Sequence, residues 1–313
     1  MYDLIGDIHG HAAPLQQLLT RLGYREVNGV WQHPERKVIF LGDFVDRGPA
    51  QADVVRIARD MVKNRHALAV MGNHEFNAVA WATADPENPG SFLRPHTDKN
   101  RRQHQAFLDQ VEEGSSLHQE CIEWFRTLPL YLDLDGLRVV HACWHTPSLQ
   151  MLAAHTDREN RILPHAWTAL THKGTAAYDA LETVLKGLEI PLPSGYGFTD
   201  KDGTPRHHIR TQWWDLEGIT YRDLALVPPD VLQSIPHEPV PADILPGYDG
   251  EKPLFVGHYW MQGEPRPLNR FIACLDYSIA AKNTKAGAEK GKLCAYRWDG
   301  EKELSQRNFV WVS

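Results

Sequence analysis

Cysteine is scarce in this sequence, with 4 residues among 313. They stand at positions 121, 143, 274 and 294, and no two are close enough to form the paired thiols of a zinc ribbon or a thioredoxin-type site. Scattered thiols in a chain of this length are typical of small buried hydrophobic residues in a reducing compartment. The cysteines therefore predict neither a disulfide framework nor a thiolate metal site.

The sequence also lacks long apolar runs and an excess of positive charge. No stretch of about 18 apolar residues is present, so we expect no transmembrane helix. The first residues do not resemble a signal peptide, and the expected location is the cytoplasm. Asp and Glu number 40 against 33 Lys and Arg, a net charge of −7. That balance does not favour a protein that binds nucleic-acid backbones or anionic membranes.

The residues that are abundant indicate a globular enzyme. Apolar residues make up 42% of the chain and charged residues 23%, and there are 17 His and 10 Trp. A surplus of histidine in an acidic protein favours metal binding, although many of these side chains can also be structural. Motifs of similar chemistry occur near both ends, so we expect residues 1–313 to form a single domain.

Apolar strands and amphipathic helices alternate along the first part of the chain. Short apolar runs at 2–5, 38–41 and 67–71 predict buried strands, and apolar stripes with helical spacing lie between them. This order is typical of βαβ units with parallel strands. Further along, runs at 130–134 and 137–140 flank Asp135-Gly136 and predict a hairpin.

Three other segments have a different character. Residues 84–118 carry several Pro and Gly residues and a polar run, and we expect an insertion or cap outside the core. A second insertion or cap is expected at about 153–215. The Lys-rich loop at 282–292 is interpreted either as a solvated loop or as a basic flap over a polyphosphate.

Polar phrases follow the predicted strands. They are GDIHG at 6–10, GDFVDRG at 42–48 and GNHE at 72–75, and two histidines follow later strands. Because ligands gather at the carboxyl ends of parallel strands, we expect these phrases to meet in one crevice. Mixed oxygen and nitrogen donors suit a two-metal site. The candidate ligands are Asp7, His9, Asp43, Asn73, His141 and His258.

These phrases resemble the signature of the calcineurin-like metallophosphoesterases, in the branch of bacterial serine/threonine phosphatases and diadenosine tetraphosphatases. The resemblance runs from Asp7 to about Trp298 and implies a four-layer α/β/β/α sandwich. It also implies two divalent transition-metal ions, with manganese expected first and iron, nickel, cobalt or zinc as alternatives. By this resemblance one ion is bound by Asp7, His9 and Asp43, and the other by Asp43, Asn73, His141 and His258.

The same resemblance implies roles beside the metals. His74 would be the acid or the substrate-orienting residue, held by Asp46, and Arg47 would bind the phosphate. A second phosphate-binding arginine is expected between the last two histidine motifs, and Arg210 is the candidate. Trp260 stands where many relatives outside this branch carry a further histidine, so it cannot supply a metal ligand.

Several aromatic and imidazole side chains keep two interpretations. His145 either faces the substrate or is structural. Trp213 and Trp214 either stack on a base or pack in the core. Tryptophans beside a strand more often pack in the core or at its rim, whereas the two interpretations of His145 carry equal weight.

Three functions are compatible with these motifs. The first is a metal-dependent hydrolase of phosphomonoesters, in which a metal-bridging hydroxide attacks phosphorus in line. The second is a diadenosine tetraphosphate hydrolase that uses the same centre. The third is a non-catalytic scaffold, which would be expected to have lost ligands or the pair His74 and Asp46. The expected partner is a phosphorylated substrate: a phosphoprotein, a small phosphoester or a nucleotide.

Overall fold

A computed structural model describes residues 1–199, 203–215, 219–241, 244–245, 247–281 and 290–313. Most of the Lys-rich loop, residues 282–289, lies outside the described residues, so its interpretation stays open. The strands of the described residues, in chain order, are β1 (Tyr2–Ile5), β2 (Arg25–Val27), β3 (Val30–Gln32), β4 (Lys37–Phe40), β5 (Ala67–Ala69), β6 (Tyr131–Asp133), β7 (Arg138–Val140), β8 (Glu189–Pro191), β9 (Phe198–Thr199), β10 (Pro205–Arg206), β11 (His208–Arg210), β12 (Leu254–Val256), β13 (Ile272–Cys274), β14 (Asp276–Tyr277), β15 (Lys292–Trp298) and β16 (Phe309–Val312).

The helices of the same residues are α1 (Ala12–Leu22), α2 (Gln51–Lys63), α3 (Asn73–Ala82), α4 (Asp98–Val111), α5 (Ser116–Arg126), α6 (Thr146–Leu152), α7 (Trp167–Thr171), α8 (Ala176–Lys186) and α9 (Tyr221–Leu224). Two short 3₁₀ turns lie at Leu232–Ser234 and Gln306–Asn308. None of the described helices is both long enough and apolar enough to cross a bilayer.

The first large sheet contains the strands that precede the three phrases. Its order is β14-β15-β1-β4-β5, with β16 on the far side of β15. β1, β4 and β5 are parallel, and Ile5 is paired with Phe40 at their carboxyl ends. The predicted βαβ units are therefore confirmed, and the loops after these three strands leave the same edge of the sheet.

The second sheet carries the two later histidines. Its order is β13-β12-β7-β6, and β12 is parallel to both β13 and β7. β6 and β7 form the antiparallel pair predicted around Asp135-Gly136. His141 directly follows β7, and His258 follows β12 after one glycine, so both leave the carboxyl edge of this sheet.

The two sheets pack face to face with helices on their outer faces. Alternate residues of each strand point to opposite sides of a sheet, so one strand can serve two cores. Leu4, Ile39, Val139 and Phe255 belong to the core between the sheets. Their neighbours in sequence, such as Ile5, pack with the helices in the other core. This arrangement is the four-layer α/β/β/α sandwich that the resemblance implied.

The expectation that residues 84–118 lie outside the core is wrong for their second half. α4 is an amphipathic helix whose His104, Phe107, Leu108 and Val111 are buried. The first residues of α4 are polar, and its apolar stripe begins only in the second half of the helix. This stripe packs in the main core. Whether 84–118 and 153–215 are insertions relative to other proteins stays a prediction.

Candidate metal centre

The phrases after β1, β4 and β5 meet the histidines of the second sheet around one carboxylate, that of Asp43. Its Oδ2 atom lies 3.6 Å from Nε2 of His9 and 3.4 Å from Nε2 of His141. Nε2 of His74 is 3.9 Å away. Two groups of side chains that could each hold a metal ion share Asp43; one is His9, Asp43 and His74, and the other is Asp43, His141 and His258.

Asn73 completes the second group. Its Oδ1 atom lies 3.1 Å from Nε2 of His141 and 2.9 Å from Nδ1 of His258. The other nitrogen of His141, Nδ1, donates to the carbonyl oxygen of Leu41 at 2.7 Å. A carbonyl can only accept, so this bond places a proton on Nδ1 and leaves Nε2 as the nitrogen that faces Asp43. Burial would lower the pKa of His141, but the carboxylate of Asp43 raises it to about 10. A metal ion at Nε2 would therefore take the place of a proton. The donors of this group converge as a metal ion requires.

His9 of the first group and Asp7, which belongs to neither group, each have a buried polar atom without a hydrogen-bond partner among the described residues. Nδ1 of His9 donates to the carbonyl of Val45 at 3.0 Å, which leaves Nε2 as the bare nitrogen. That Nε2 and Oδ1 of Asp7 are buried and have no hydrogen-bond partner among the described residues. Buried polar atoms normally find a partner, and each unsatisfied atom calls for an explanation. A cation between Asp7, His9 and Asp43 would satisfy both.

The pKa values of His9, His258 and Asp7 agree with that interpretation. Burial, helped by the nearby His74, lowers the pKa of His9 to about 3, so its imidazole is neutral and can bind a metal. Burial and the charge of His141 likewise lower the pKa of His258 well below its ordinary value. Burial and the carboxylate of Asp276 raise the pKa of Asp7 well above its usual range. This pocket therefore disfavours a bare carboxylate at Asp7, and a cation would stabilise it.

The backbone of the loops is held in unusual conformations to aim these side chains. His9, Asp43 and His258 all have positive φ, at 46°, 50° and 73°. Such conformations cost of order 1 kcal/mol or more each for residues other than glycine, and they cluster at functional sites. Gly257 is required for a different reason, because a Cβ there would overlap Oδ1 of Asp7.

His74 and Asp46 form a hydrogen-bonded pair beside Asp43. Nδ1 of His74 is bonded to Oδ2 of Asp46, which is almost fully buried. Burial alone would lower the pKa of His74, but the carboxylates of Asp43 and Asp46 raise it above its ordinary 6.5. Nη2 of Arg47 lies 3.4 Å from the other nitrogen of His74, Nε2. The predicted acid–base pair and the predicted phosphate ligand are therefore adjacent.

Arg210 also lies at this edge of the site. Its Nη1 atom is 3.4 Å from Nε2 of His258, and Nη2 donates to Glu189 at 3.0 Å. Trp213 and Trp214, in contrast, are buried and pack in the core. Nδ1 of His145 is 2.8 Å from Oγ of Ser148, at the start of α6. The structure thus brings Arg210 to the centre and gives both tryptophans a packing role.

Glu75 is a residue that the sequence reasoning missed. Its carboxylate is fully buried and accepts the backbone N–H groups of Asp43, Phe44 and Gly72 at 2.8, 2.9 and 3.1 Å. It therefore ties the loop after β4 to the start of α3. Its place in the phrase GNHE was a signal for such a role.

Trp260 and His104 were missed for different reasons. The ring of Trp260 is 40% exposed and lies 4.2 Å from the guanidinium carbon of Arg47. Trp260 lies far from Arg47 in the sequence, so no local pattern indicates this contact. Nδ1 of His104 lies 2.7 Å from Oδ1 of Asp46. His104 stands 58 positions beyond Asp46 in a polar run, and no sequence signal links the two.

Comparison with known proteins agrees with this geometry. The family model of the calcineurin-like phosphoesterases matches residues 2–252. The chain belongs to this family. The matched range includes every candidate residue of the centre except His258, and the structure places His258 beside Asn73.

Relatives of the chain carry names of nucleotide hydrolases. It is 31% identical over 141 residues to bis(5'-nucleosyl)-tetraphosphatase PrpE (asymmetrical) of Oceanobacillus iheyensis, covering 45% of this chain and 54% of that protein. It is 29% identical over 234 residues to the symmetrical bis(5'-nucleosyl)-tetraphosphatase of Ralstonia nicotianae, covering 68% of this chain and 73% of that one. The chain thus spans about half the length of the Oceanobacillus relative.

Solved structures show a similar fold. The cold-active protein-tyrosine phosphatase of a psychrophilic Shewanella species superposes with a TM-score of 0.50 at 15% identity, covering 94% of this chain and 74% of that one. At this identity the likeness concerns the fold alone.

Proposed function

We propose that this chain is a two-metal hydrolase of phosphoric esters and anhydrides. The observation that carries the proposal is the convergence of His9, His141 and His258 with Asn73 on the single carboxylate of Asp43. Asp7, His9 and Asp43 would hold one divalent cation, and Asp43, Asn73, His141 and His258 the other. Manganese is proposed, although iron, nickel, cobalt and zinc suit the same donors. When bound, two such ions supply a nucleophile at neutral pH by lowering the pKa of water.

The side chains around the metals would handle the phosphoryl group and the proton. Arg47 and Arg210 would bind the non-bridging oxygens, because a guanidinium matches the geometry of a phosphoryl group. Nε2 of His74 would donate a proton to the leaving oxygen, and Asp46 would fix its tautomer through Nδ1. The pKa of Asp46 is well below its usual range, since the bonds from His104 and His74 outweigh its burial. It is therefore an ionised acceptor at neutral pH.

We propose a dinucleoside polyphosphate, of the diadenosine tetraphosphate class, as the substrate. The names of the relatives support this choice over the phosphomonoester that the motifs allow equally. Trp260 supports it too, because an exposed ring beside the phosphate-binding Arg47 offers a stacking surface for a base. The backbone N–H of Trp260 donates to Asp276 at 2.9 Å, so this ring is presented from a fixed backbone.

A phosphomonoester remains the second candidate, since every proposed catalytic residue would serve it as well. The third possibility, a scaffold without activity, is disfavoured because the candidate ligands and the pair His74 and Asp46 are all retained in one place. A cytoplasmic location stays a prediction.

The test is a panel assay on metal-free and metal-loaded protein. Chelated protein should be inactive and should recover with Mn²⁺, and diadenosine tetraphosphate should be preferred over p-nitrophenyl phosphate and a phosphopeptide. Full turnover in protein shown by elemental analysis to be metal-free would refute the two-metal proposal. Preference for the phosphopeptide would refute the nucleotide assignment alone.

The Trp260 platform is tested by Trp260→Leu and Trp260→Phe. Stacking on an aromatic side chain contributes about 1–3 kcal/mol per base, so Trp260→Leu should raise the KM for the dinucleotide by roughly 10-fold. Trp260→Phe should recover much of the loss, and glycerol phosphate, which has no ring, is the control substrate. An equal change for both substrates would indicate that Trp260 acts only through Arg47.

A further inference from the structure

His104 contacts the proposed acid–base pair but lies in a different segment of the chain from His74 and Asp46. It lies in α4, between Asp98 and Val111, and its side chain is completely buried. Its Nδ1 atom is 2.7 Å from Oδ1 of Asp46, whereas His74 is bonded to the other oxygen, Oδ2. The carboxylate of Asp46 is therefore held between two imidazoles, one on each oxygen.

Within the part of the chain that the structure describes, the side chain of His104 has one polar contact, to Asp46. Phe107 and Trp81 flank its ring, with centroids 5.0 and 6.1 Å away. Its Nε2 atom is buried and has no hydrogen-bond partner among the described residues. An ionised carboxylate only accepts, so the bond to Asp46 requires a proton on Nδ1, and Nε2 faces apolar surroundings. Leaving the second nitrogen of a buried histidine without a partner costs free energy. A contact kept at that cost is a candidate for a functional role.

Asp46 gains a fixed orientation from this contact. The χ2 angle of an aspartate side chain has a broad, roughly two-fold distribution. A single hydrogen bond from His74 therefore does not fix the plane of the carboxylate. A second donor on Oδ1 restrains that rotation and keeps Oδ2 in line with Nδ1 of His74. The backbone N–H of Asp46 donates to Gln51 at 2.7 Å, which anchors the same residue at its other end.

We propose that His104 is a positioning residue for the proposed reaction: it holds Asp46 so that Asp46 can orient His74. This inference rests on the proposed function, because it gives His74 its role as acid. It also means that the segment 84–118, expected from the sequence to lie outside the core, takes part in ordering the catalytic pair.

Three substitutions separate positioning from packing. Asparagine places its amide nitrogen near the position of Nδ1, so His104→Asn can still donate to Asp46. His104→Gln places its amide near the position of Nε2, and His104→Phe fills the space without a donor. Removing the hydrogen-bond partner of a metal-ligating side chain typically costs about 10–100-fold in activity, and we expect a similar factor for the partner of Asp46. We expect His104→Phe and His104→Gln to lower kcat on an alkyl phosphate by about that factor at unchanged KM and metal content, and His104→Asn to recover most of it.

His118→Phe is the matched control. His118 is also buried, lies on the neighbouring helix α5 and contacts Phe107, but its Nδ1 atom accepts the backbone N–H of Gly114. It should keep the wild-type kcat. In an Asp46→Asn background, His104→Phe should add little further loss, since its effect passes through that carboxylate.

A spectroscopic measurement separates this inference from the proposed function. Imidazole ¹⁵N and N–H resonances should show two Nδ1–H groups bonded to Asp46 in the wild type. In His104→Phe the signal of His74 should shift and broaden, and in His104→Asn it should return. Wild-type protein without hydrolase activity would refute the proposed function, whereas an active wild type with equal kcat in all three variants would overturn the positioning role. An unchanged His74 resonance in His104→Gln would overturn it as well, even if His104→Phe fails to fold.

Discussion

Replacing His74 by asparagine should slow the reaction without emptying the metal centre. The variant removes the imidazole that bonds to Asp46 through Nδ1 and faces Arg47 through Nε2. General acid catalysis typically contributes 10²–10⁴-fold, so kcat should fall by about that factor, or roughly 3–5 kcal/mol of barrier. Because Nε2 of His74 lies 3.9 Å from Oδ2 of Asp43, metal content must be measured in the same preparation.

The assay compares leaving groups of different basicity. An alkyl phosphate needs a proton on its leaving oxygen, whereas p-nitrophenolate does not, so the defect should be large on the first and smaller on the second when chemistry limits both rates. His172→Asn, which changes an exposed imidazole, is the control. Equal defects on both substrates would refute the acid role, and loss of metal would instead assign His74 to the first metal site.

Three further predictions concern the loops, the core and the thiols. Gly257→Ala should lower metal content in folded protein, because the added methyl group overlaps Oδ1 of Asp7; full loading would contradict this. Phe107→Ala should destabilise the protein by about 3–5 kcal/mol in urea unfolding, because Phe107 is fully buried, whereas Phe92→Ala, which is 36% exposed, should cost about 1 kcal/mol or less. A small effect of Phe107→Ala would indicate instead that α4 is a cap that packs loosely on the core. Burial raises the pKa of all four thiols, so the native protein should resist alkylation that proceeds in denaturant; rapid reaction of the native protein would show an accessible thiolate.

Local sequence patterns predicted the strands and loops that carry the candidate site. Apolar runs set the parallel strands β1, β4 and β5, and the glycine-containing phrases after them predicted where Asp43 would lie. A chain that turns sharply at the end of a buried strand has few ways to place its next polar residue. Even Arg210, chosen from a loose motif, lies beside His258.

What the sequence could not provide were the contacts between distant segments. α4 begins with polar residues, so its buried face was not recognised, and with it His104 was missed. The bond between His104 and Asp46 depends on how α4 packs against the sheet, which no local pattern encodes. The contact of Trp260 with Arg47 likewise joins segments more than two hundred positions apart. Both contacts are tertiary, and both concern residues that surround the candidate metal ligands.

The number of metal ions bound by Asp43→Asn tests the central claim most directly. Elemental analysis of manganese-reconstituted protein should give about two ions per chain for the wild type. Asp43→Asn should lose both together, because this carboxylate faces His9 on one side and His141 on the other, whereas Asn73→Ala should chiefly weaken one. Retention of two ions and normal turnover in Asp43→Asn would contradict the shared carboxylate on which the account depends.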